Sequence, residues 1–161
     1  MARIWTQLAL SAAISAVSMP AAADCVSPWK TFFSCDIANS DAHAEFCKLD
    51  DPGAYPALKE GYYTYTRGIG PAELRFETDN VLESFKENAL SPTQAVAAFG
   101  YVRGAYVYAF FATEDRKGGF PHAELRVYNT VGKFMDKTKG NESERLVCSP
   151  DSIRTMESFL G

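Results

Sequence analysis

Residues 94–113 read Q-A-V-A-A-F-G-Y-V-R-G-A-Y-V-Y-A-F-F-A-T, two apolar, aromatic runs broken by Arg103-Gly104. Runs of this length, rich in Val, Tyr and Phe and divided by a turn signal, predict two strands of a long central hairpin, 94–102 and 105–113. The segments around it follow the same period. Residues 62–66 (Y-Y-T-Y-T) predict a strand that 67–71 (R-G-I-G-P) ends. Residues 72–78 (A-E-L-R-F-E-T) then alternate, with Ala72, Leu74 and Phe76 on one face and Glu73, Arg75 and Glu77 on the other. That is a half-buried strand, and it completes a hairpin with 62–66. Upstream, 32–37 and 45–49 flank the turn-like Asn39-Ser40-Asp41 and face each other as strands.

Downstream, 123–129 alternate again, with Ala123, Leu125 and Val127 inward. Residues 132–137 and 145–148 read as the last two strands, separated by Lys139-Gly140-Asn141-Glu142. Two segments have helical spacing. Val81, Leu82, Phe85 and Ala89 suggest a short helix or irregular link over 79–91, capped by Asp79 or Asn80, with a strand around Leu82–Phe85 as the alternative. Ile153, Met156, Phe159 and Leu160 suggest a terminal helix over 152–160. The expected fold is all-β: a small antiparallel barrel or sandwich of about eight strands with short helices. An internal echo fits such a plan. Gly61-x-Tyr63-x-Tyr65 leads to Ala72-Glu73-Leu74-Arg75, and Gly104-x-Tyr106-x-Tyr108 leads to Ala123-Glu124-Leu125-Arg126.

The start of the chain sets the expected compartment. Arg3, an apolar run from Ile4 to Val17, the break Met19-Pro20 and the small residues Ala21-Ala22-Ala23 have the layout of an export signal over 1–23. Residues 24–161 are then one domain, located in the periplasm or secreted. Asp24 stands where lipidation before Cys25 would want a small residue. Without residues 1–23, which carry one Arg and no acid, 15 basic and 20 acidic residues remain, a net charge of −5. This mild acidity argues against nucleic acid and anionic membrane surfaces as partners, and favours a basic protein. No membrane span is expected after the signal.

Cys25, Cys35, Cys47 and Cys148 form an even set, which in an oxidising compartment predicts two disulfides. The turn between 32–37 and 45–49 favours Cys35 with Cys47, leaving Cys25 to tie the mature N-terminus to Cys148. The spacing is neither that of a zinc site nor C-x-x-C, so no metal, cofactor or redox motif is expected. Catalytic motifs are also missing from the sequence. There is no G-x-S-x-G, and neither His43 nor His122 has an obvious serine partner.

Two candidate binding features remain. The loop after the central hairpin offers Glu114, Asp115, Arg116, Lys117, Phe120 and His122, long and mixed in charge. The tyrosines Tyr63, Tyr65, Tyr106 and Tyr108 share strand faces and suit either an aromatic platform for glycan or a core stripe. Arg67 and Arg103, each before a turn glycine, could pair with ligand carboxylates.

Phe33-Ser34-Cys35-Asp36-Ile37, then Cys47, then Tyr63-x-Tyr65-x-x-Gly68, and a last strand ending in Cys148, resemble small secreted cysteine-containing β proteins of Gram-negative bacteria. The chain is more distantly similar to the periplasmic inhibitors of c-type lysozyme, which are small, disulfide-bearing β-barrels. That resemblance implies a non-catalytic binding protein that inserts a loop into the cleft of a lysozyme-like hydrolase. Cell-wall glycan is the other partner class. The inhibitors' Ser-Gly-x-x-Tyr loop is absent, so none of their site residues carries over. The rival readings are a carboxylate-using envelope hydrolase and a structural envelope component.

Overall fold

The computed structural model describes residues 25–91, 94–115, 122–136 and 140–155. The chain runs β1 (Trp29–Asp36), β2 (Ala42–Leu49), β3 (Gly61–Arg67), β4 (Leu74–Thr78), β5 (Val81–Ser91), β6 (Gln94–Arg103), β7 (Tyr106–Asp115), β8 (His122–Tyr128), α1 (Val131–Met135), β9 (Glu144–Val147) and β10 (Arg154–Thr155). The strands form two antiparallel five-stranded sheets. Sheet I has the order β10-β1-β2-β3-β4 and sheet II the order β5-β6-β7-β8-β9. The all-β, two-disulfide expectation holds, with ten strands among the described residues in place of about eight and with two sheets that do not close into a barrel.

The sheets cross steeply. In sheet II, Val81, Tyr101, Tyr108, Val127 and Glu144 are cross-strand neighbours. Strand β3 lies along that row. A Cβ on Gly61 would touch Val81 and Tyr101, and the Tyr63 ring stacks on Tyr108 at 5.4 Å. A strand of one sheet following a cross-strand row of the other is the orthogonal mode of sheet packing. The core between them is aromatic. Phe110 is fully buried, stacked on Phe33 at 4.2 Å and meeting Phe99, Phe32 and Phe46 within 6 Å. A polar tie crosses the same core, the buried Tyr101 hydroxyl donating to the Cys47 carbonyl at 2.8 Å.

The disulfides are Cys25–Cys47 and Cys35–Cys148, which corrects the expected pairing. The reason lies in the strand faces. Cys47 sits opposite Thr31 and Cys35 opposite Ala44, with a bulge between Thr31 and Phe33. Even positions of β2 (Ala42, Ala44, Phe46) face the core, so Cys47 faces outward. Past the bulge, Phe33, Cys35 and Ile37 face inward. Cys35 and Cys47 therefore lie on opposite faces of one hairpin and cannot meet. Cys35 meets Cys148 instead, where Ile37 and Cys148 form a β-bridge between the sheets.

Three segments depart from their expected form. Residues 81–91 are strand β5, the alternative reading at 82–85 extended to both sides, in place of the favoured helix or link. The register of β5 slips between Glu83 and Phe85 and again before Ser91, and these irregularities break the two-residue period. Val81 also packs toward the inter-sheet core while Leu82 packs toward the outer face of sheet II. Apolar residues on both faces plus a bulge mimic helical spacing. Within 132–137, where a strand was expected, Val131–Met135 forms helix α1. The Thr130 side chain caps it by accepting from Lys133 N, and its buried Phe134 packs on Tyr128, Val107 and Ala109 across the outer face of sheet II. At the C-terminal end Pro150–Ser152 is a 3-10 turn and Arg154–Thr155 pairs with β1; residues 156–160 of the expected helix lie outside the described residues.

The sequence echo is not matched in pairing. Tyr63 faces Phe76 and Tyr65 faces Leu74, whereas Tyr108 faces Val127 and Phe110 faces Leu125, a register displaced by two residues. Both pairs of strands keep the same inward parity, which suffices to explain the shared alternation.

Two substitutions test the packing. Phe110→Ala should lower the unfolding free energy by about 3–5 kcal/mol. Gly100→Ala would place a Cβ 2.5 Å from Val107 Cγ1 and 3.2 Å from Phe134, and it should cost about 1–3 kcal/mol. Urea denaturation measures both; a neutral Gly100→Ala would contradict the seating of α1 on sheet II.

Candidate functional site

One corner of the sandwich is open and aromatic. Strand β4 is an edge of sheet I and packs on β6, while its Phe76 ring meets Tyr108 of β7. There Tyr65, Leu74, Phe76 and Tyr108 stay partly buried against the core around the buried Tyr63. Tyr63, Phe76 and Tyr108 form a triangle of ring contacts at 5.2–5.4 Å. Burial pushes the Tyr63 phenol far above its ordinary range, so it is a neutral packing group. Both arginines singled out from the sequence border this corner. The Arg103 guanidinium lies 5.7 Å from the Phe76 ring centroid, and Arg67 faces Glu73 at 3.8 Å.

The two hairpin turns beyond the corner project apolar side chains. Gly68 and Gly104 both take φ +60°, the left-handed conformation that a tight turn needs. Between Gly68 and Gly70, Ile69 is fully exposed; after Gly104, Tyr106 is half-exposed. Tyr106 thus leaves the expected tyrosine set: it shares the inward parity of Tyr108 but stands at the turn, where sheet I no longer covers it. The other three tyrosines converge, chiefly as packing.

A second cluster lies on the outer face of sheet II and was not foreseen. Alternation turns Glu124 away from the inter-sheet core, yet it is 1% exposed. Arg126 donates to its Oε2 at 2.9–3.0 Å, His122 Nε2 meets Oε1 at 2.6 Å, and Arg145 from β9 pairs with the same Oε1. Arg126 also lies 4.0 Å over the Phe111 ring. Burial alone would push this carboxyl up; hydrogen bonds from Arg145, His122 and Arg126 outweigh it and hold the acid down to about 2. A carboxylate with both oxygens engaged and a pKa this low is a structural anion, unsuited to general acid catalysis at neutral pH. The sequence signal for it was the echo Ala-Glu-Leu-Arg itself, since Glu124 and Arg126 two apart on one strand share a face.

The expected loop is only partly described. Glu114 is buried, Asp115 half-buried, and His122 is exposed at the base of β8 on Glu124; Arg116, Lys117 and Phe120 lie outside the described residues.

The outer face of sheet I carries a third set. Glu45, Thr64 and Arg75 are cross-strand neighbours, with Cys47 and Tyr62 in the next row. Glu45 is buried and accepts from Thr31 Oγ1 at 2.7 Å. Trp29 stacks on Tyr62 at 5.5 Å, and Arg75 lies 4.9 Å from the same Tyr62 ring. Nearer the β1–β2 turn, His43 Nδ1 meets Asp36 Oδ1 at 2.7 Å. An imidazole–carboxylate pair becomes catalytic when a nucleophile faces its free nitrogen. Ser152, whose hydroxyl approaches this pair along the chain of contacts, accepts from Asp36 N and donates to the Ser149 carbonyl. Those bonds make it a brace for the end of β1. No described helix is long and apolar enough to cross a membrane. Two disulfides are compatible with an extracytoplasmic location.

The Glu124 network predicts an acid-dependent stability. Its folded pKa lies below the unfolded value, so its contribution is full above about pH 4.5 and is lost as pH falls toward 2. Glu124→Gln should destabilise the protein by about 2–4 kcal/mol at pH 7, leaving two arginines without their anion. It should also flatten the fall in stability between pH 4.5 and 2, read by denaturation at each pH. Searches with this chain find no matching protein-family model, no matching curated protein and no matching solved structure.

Proposed function

We propose that this protein is a non-catalytic binding protein of the periplasm or extracellular space, and that its partner is a basic cell-wall hydrolase of the lysozyme type, which it inhibits. The observation that carries the reading is the paired turns at the aromatic corner. Ile69 projects fully exposed from a glycine-framed hairpin, Tyr106 projects from a second one, and Arg67 and Arg103 stand at their bases. Short, rigid hairpins that hold apolar side chains in water enter a concave partner at small entropic cost. The described titratable groups add to this. Glu124 and His43 are committed to structural partners, which leaves the described surface better equipped for contact than for proton transfer. A net charge of −5 after removal of 1–23 would speed encounter with a basic enzyme.

The test is a turbidity assay of lysozyme on a cell-wall suspension. Micromolar protein should slow clearing. Ile69→Asp, at a position where surface substitution leaves stability within about 0.5 kcal/mol, should weaken inhibition about tenfold or more. Undiminished clearing with every lysozyme type at micromolar excess would refute the proposal.

A further inference from the structure

The outer face of sheet I brings together two sulfurs and a carboxylate. Cys25 Sγ, Cys47 Sγ and a Glu45 oxygen all lie within 4.8 Å of one another. Glu45 and Cys47 stand two apart on β2, which aims them at the same face. Thr31, opposite Cys47, hydrogen-bonds Glu45 Oε1 at 2.7 Å and reaches Cys25 Sγ at 3.3 Å. Glu45 and Cys47 are buried; Cys25 is half-buried and precedes β1, outside any strand. With the sulfurs joined, this set binds nothing. Once they are thiolates, two soft ligands and one carboxylate are the donor set of a thiophilic divalent cation.

We propose that reduction of Cys25–Cys47 by a dithiol converts this clasp into a zinc site formed by Cys25, Cys47 and Glu45. The dithiol gives two electrons and two protons to the S–S bond and becomes a disulfide itself. The two new thiols release two protons as their sulfurs bind the ion. In tetrahedral zinc coordination, with Zn–S near 2.3 Å, the sulfurs stand about 3.8 Å apart. One sulfur must therefore move away from the other as the ion enters between them. Cys25 can supply that movement from its irregular segment while Cys47 stays fixed in the middle of β2. The fourth position falls to water or to the Thr31 hydroxyl. The other disulfide keeps out of this chemistry, because both Cys35 and Cys148 are buried in the core at 0% and 2% exposure and a reductant reaches Cys25 first. The inference is independent of the partner proposed above.

The experiment uses the full chain, treated anaerobically with limiting dithiothreitol to two thiols per chain, freed of reductant and titrated with Co2+ as the probe for zinc. Expected is one Co2+ per chain with a sulfur-to-metal charge-transfer band, displaced by Zn2+, and an unchanged β-sheet circular dichroism signal. Glu45→Gln should weaken Co2+ about tenfold to a hundredfold, and Cys25→Ser should abolish the band. A folded, reduced chain without the band overturns the proposal. So does a band retained in Cys25→Ser, an unchanged affinity in Glu45→Gln, or a sheet signal lost on reduction that Zn2+ does not restore.

Discussion

The architecture depends on one join, the meeting of β1 with the end of β9. Cys35 bonds Cys148, Ile37 bridges Cys148, and Ala38 N donates to the Val147 carbonyl. These contacts fix the two sheets to each other at one corner. A crosslink spanning 113 residues removes on the order of 4–5 kcal/mol of unfolded-chain entropy in the loop-closure account. The linker between β4 and β5 holds the diagonally opposite corner, where Thr78 ends β4 opposite Gly61 and Val81 opens β5 opposite Tyr101. With two corners set, the sheets have little choice but to cross, and Phe110, Phe33, Phe46 and Tyr101 fill the crossing.

What the join leaves open is as informative as what it closes. The corner near Cys148 is sewn shut; the β4 edge above β7 is not, and there Tyr65, Leu74, Phe76 and Tyr108 remain partly exposed. The two outer faces differ in kind. Sheet II is covered by α1 through Phe134 and by the ionic knot at Glu124, so its apolar residues there are buried without a third layer. Sheet I carries the shorter disulfide and the buried Glu45 on its outer face. One disulfide thus acts in the core and the other on a surface, a division that follows from the parity switch at the β1 bulge.

Much of the fold was legible in the sequence because period-two alternation survives where strands are regular. The hairpins β1–β2, β3–β4 and β6–β7 all stand where alternation and turn residues put them. The misreadings share a physical origin in broken or doubled periodicity. The bulge in β1 moved Cys35 to the opposite face from Cys47, and the irregularities of β5 gave a strand the spacing of a helix. In α1, five residues are too few to show a period, and only the Thr130 cap marked it. The site was less legible than the fold. Glu124 reads as an ordinary outward residue until β9 brings Arg145 beside it, and nothing local announces that contact. Arg67 and Arg103 were visible as turn residues, but their common border on one aromatic corner exists only because the sheets cross.

The central claim is that the sheets are joined through Cys35 and Cys148 while Cys25 clasps the outer face at Cys47. The most direct measurement is peptide mapping of the oxidised protein, with free thiols blocked before proteolysis and the linked peptides identified by mass. The account predicts two linked species, Cys35 with Cys148 and Cys25 with Cys47, and no blocked thiol. A peptide linking Cys35 to Cys47 would place the two on one face of the β1–β2 hairpin and contradict the bulge, the face assignment and the joined corner together.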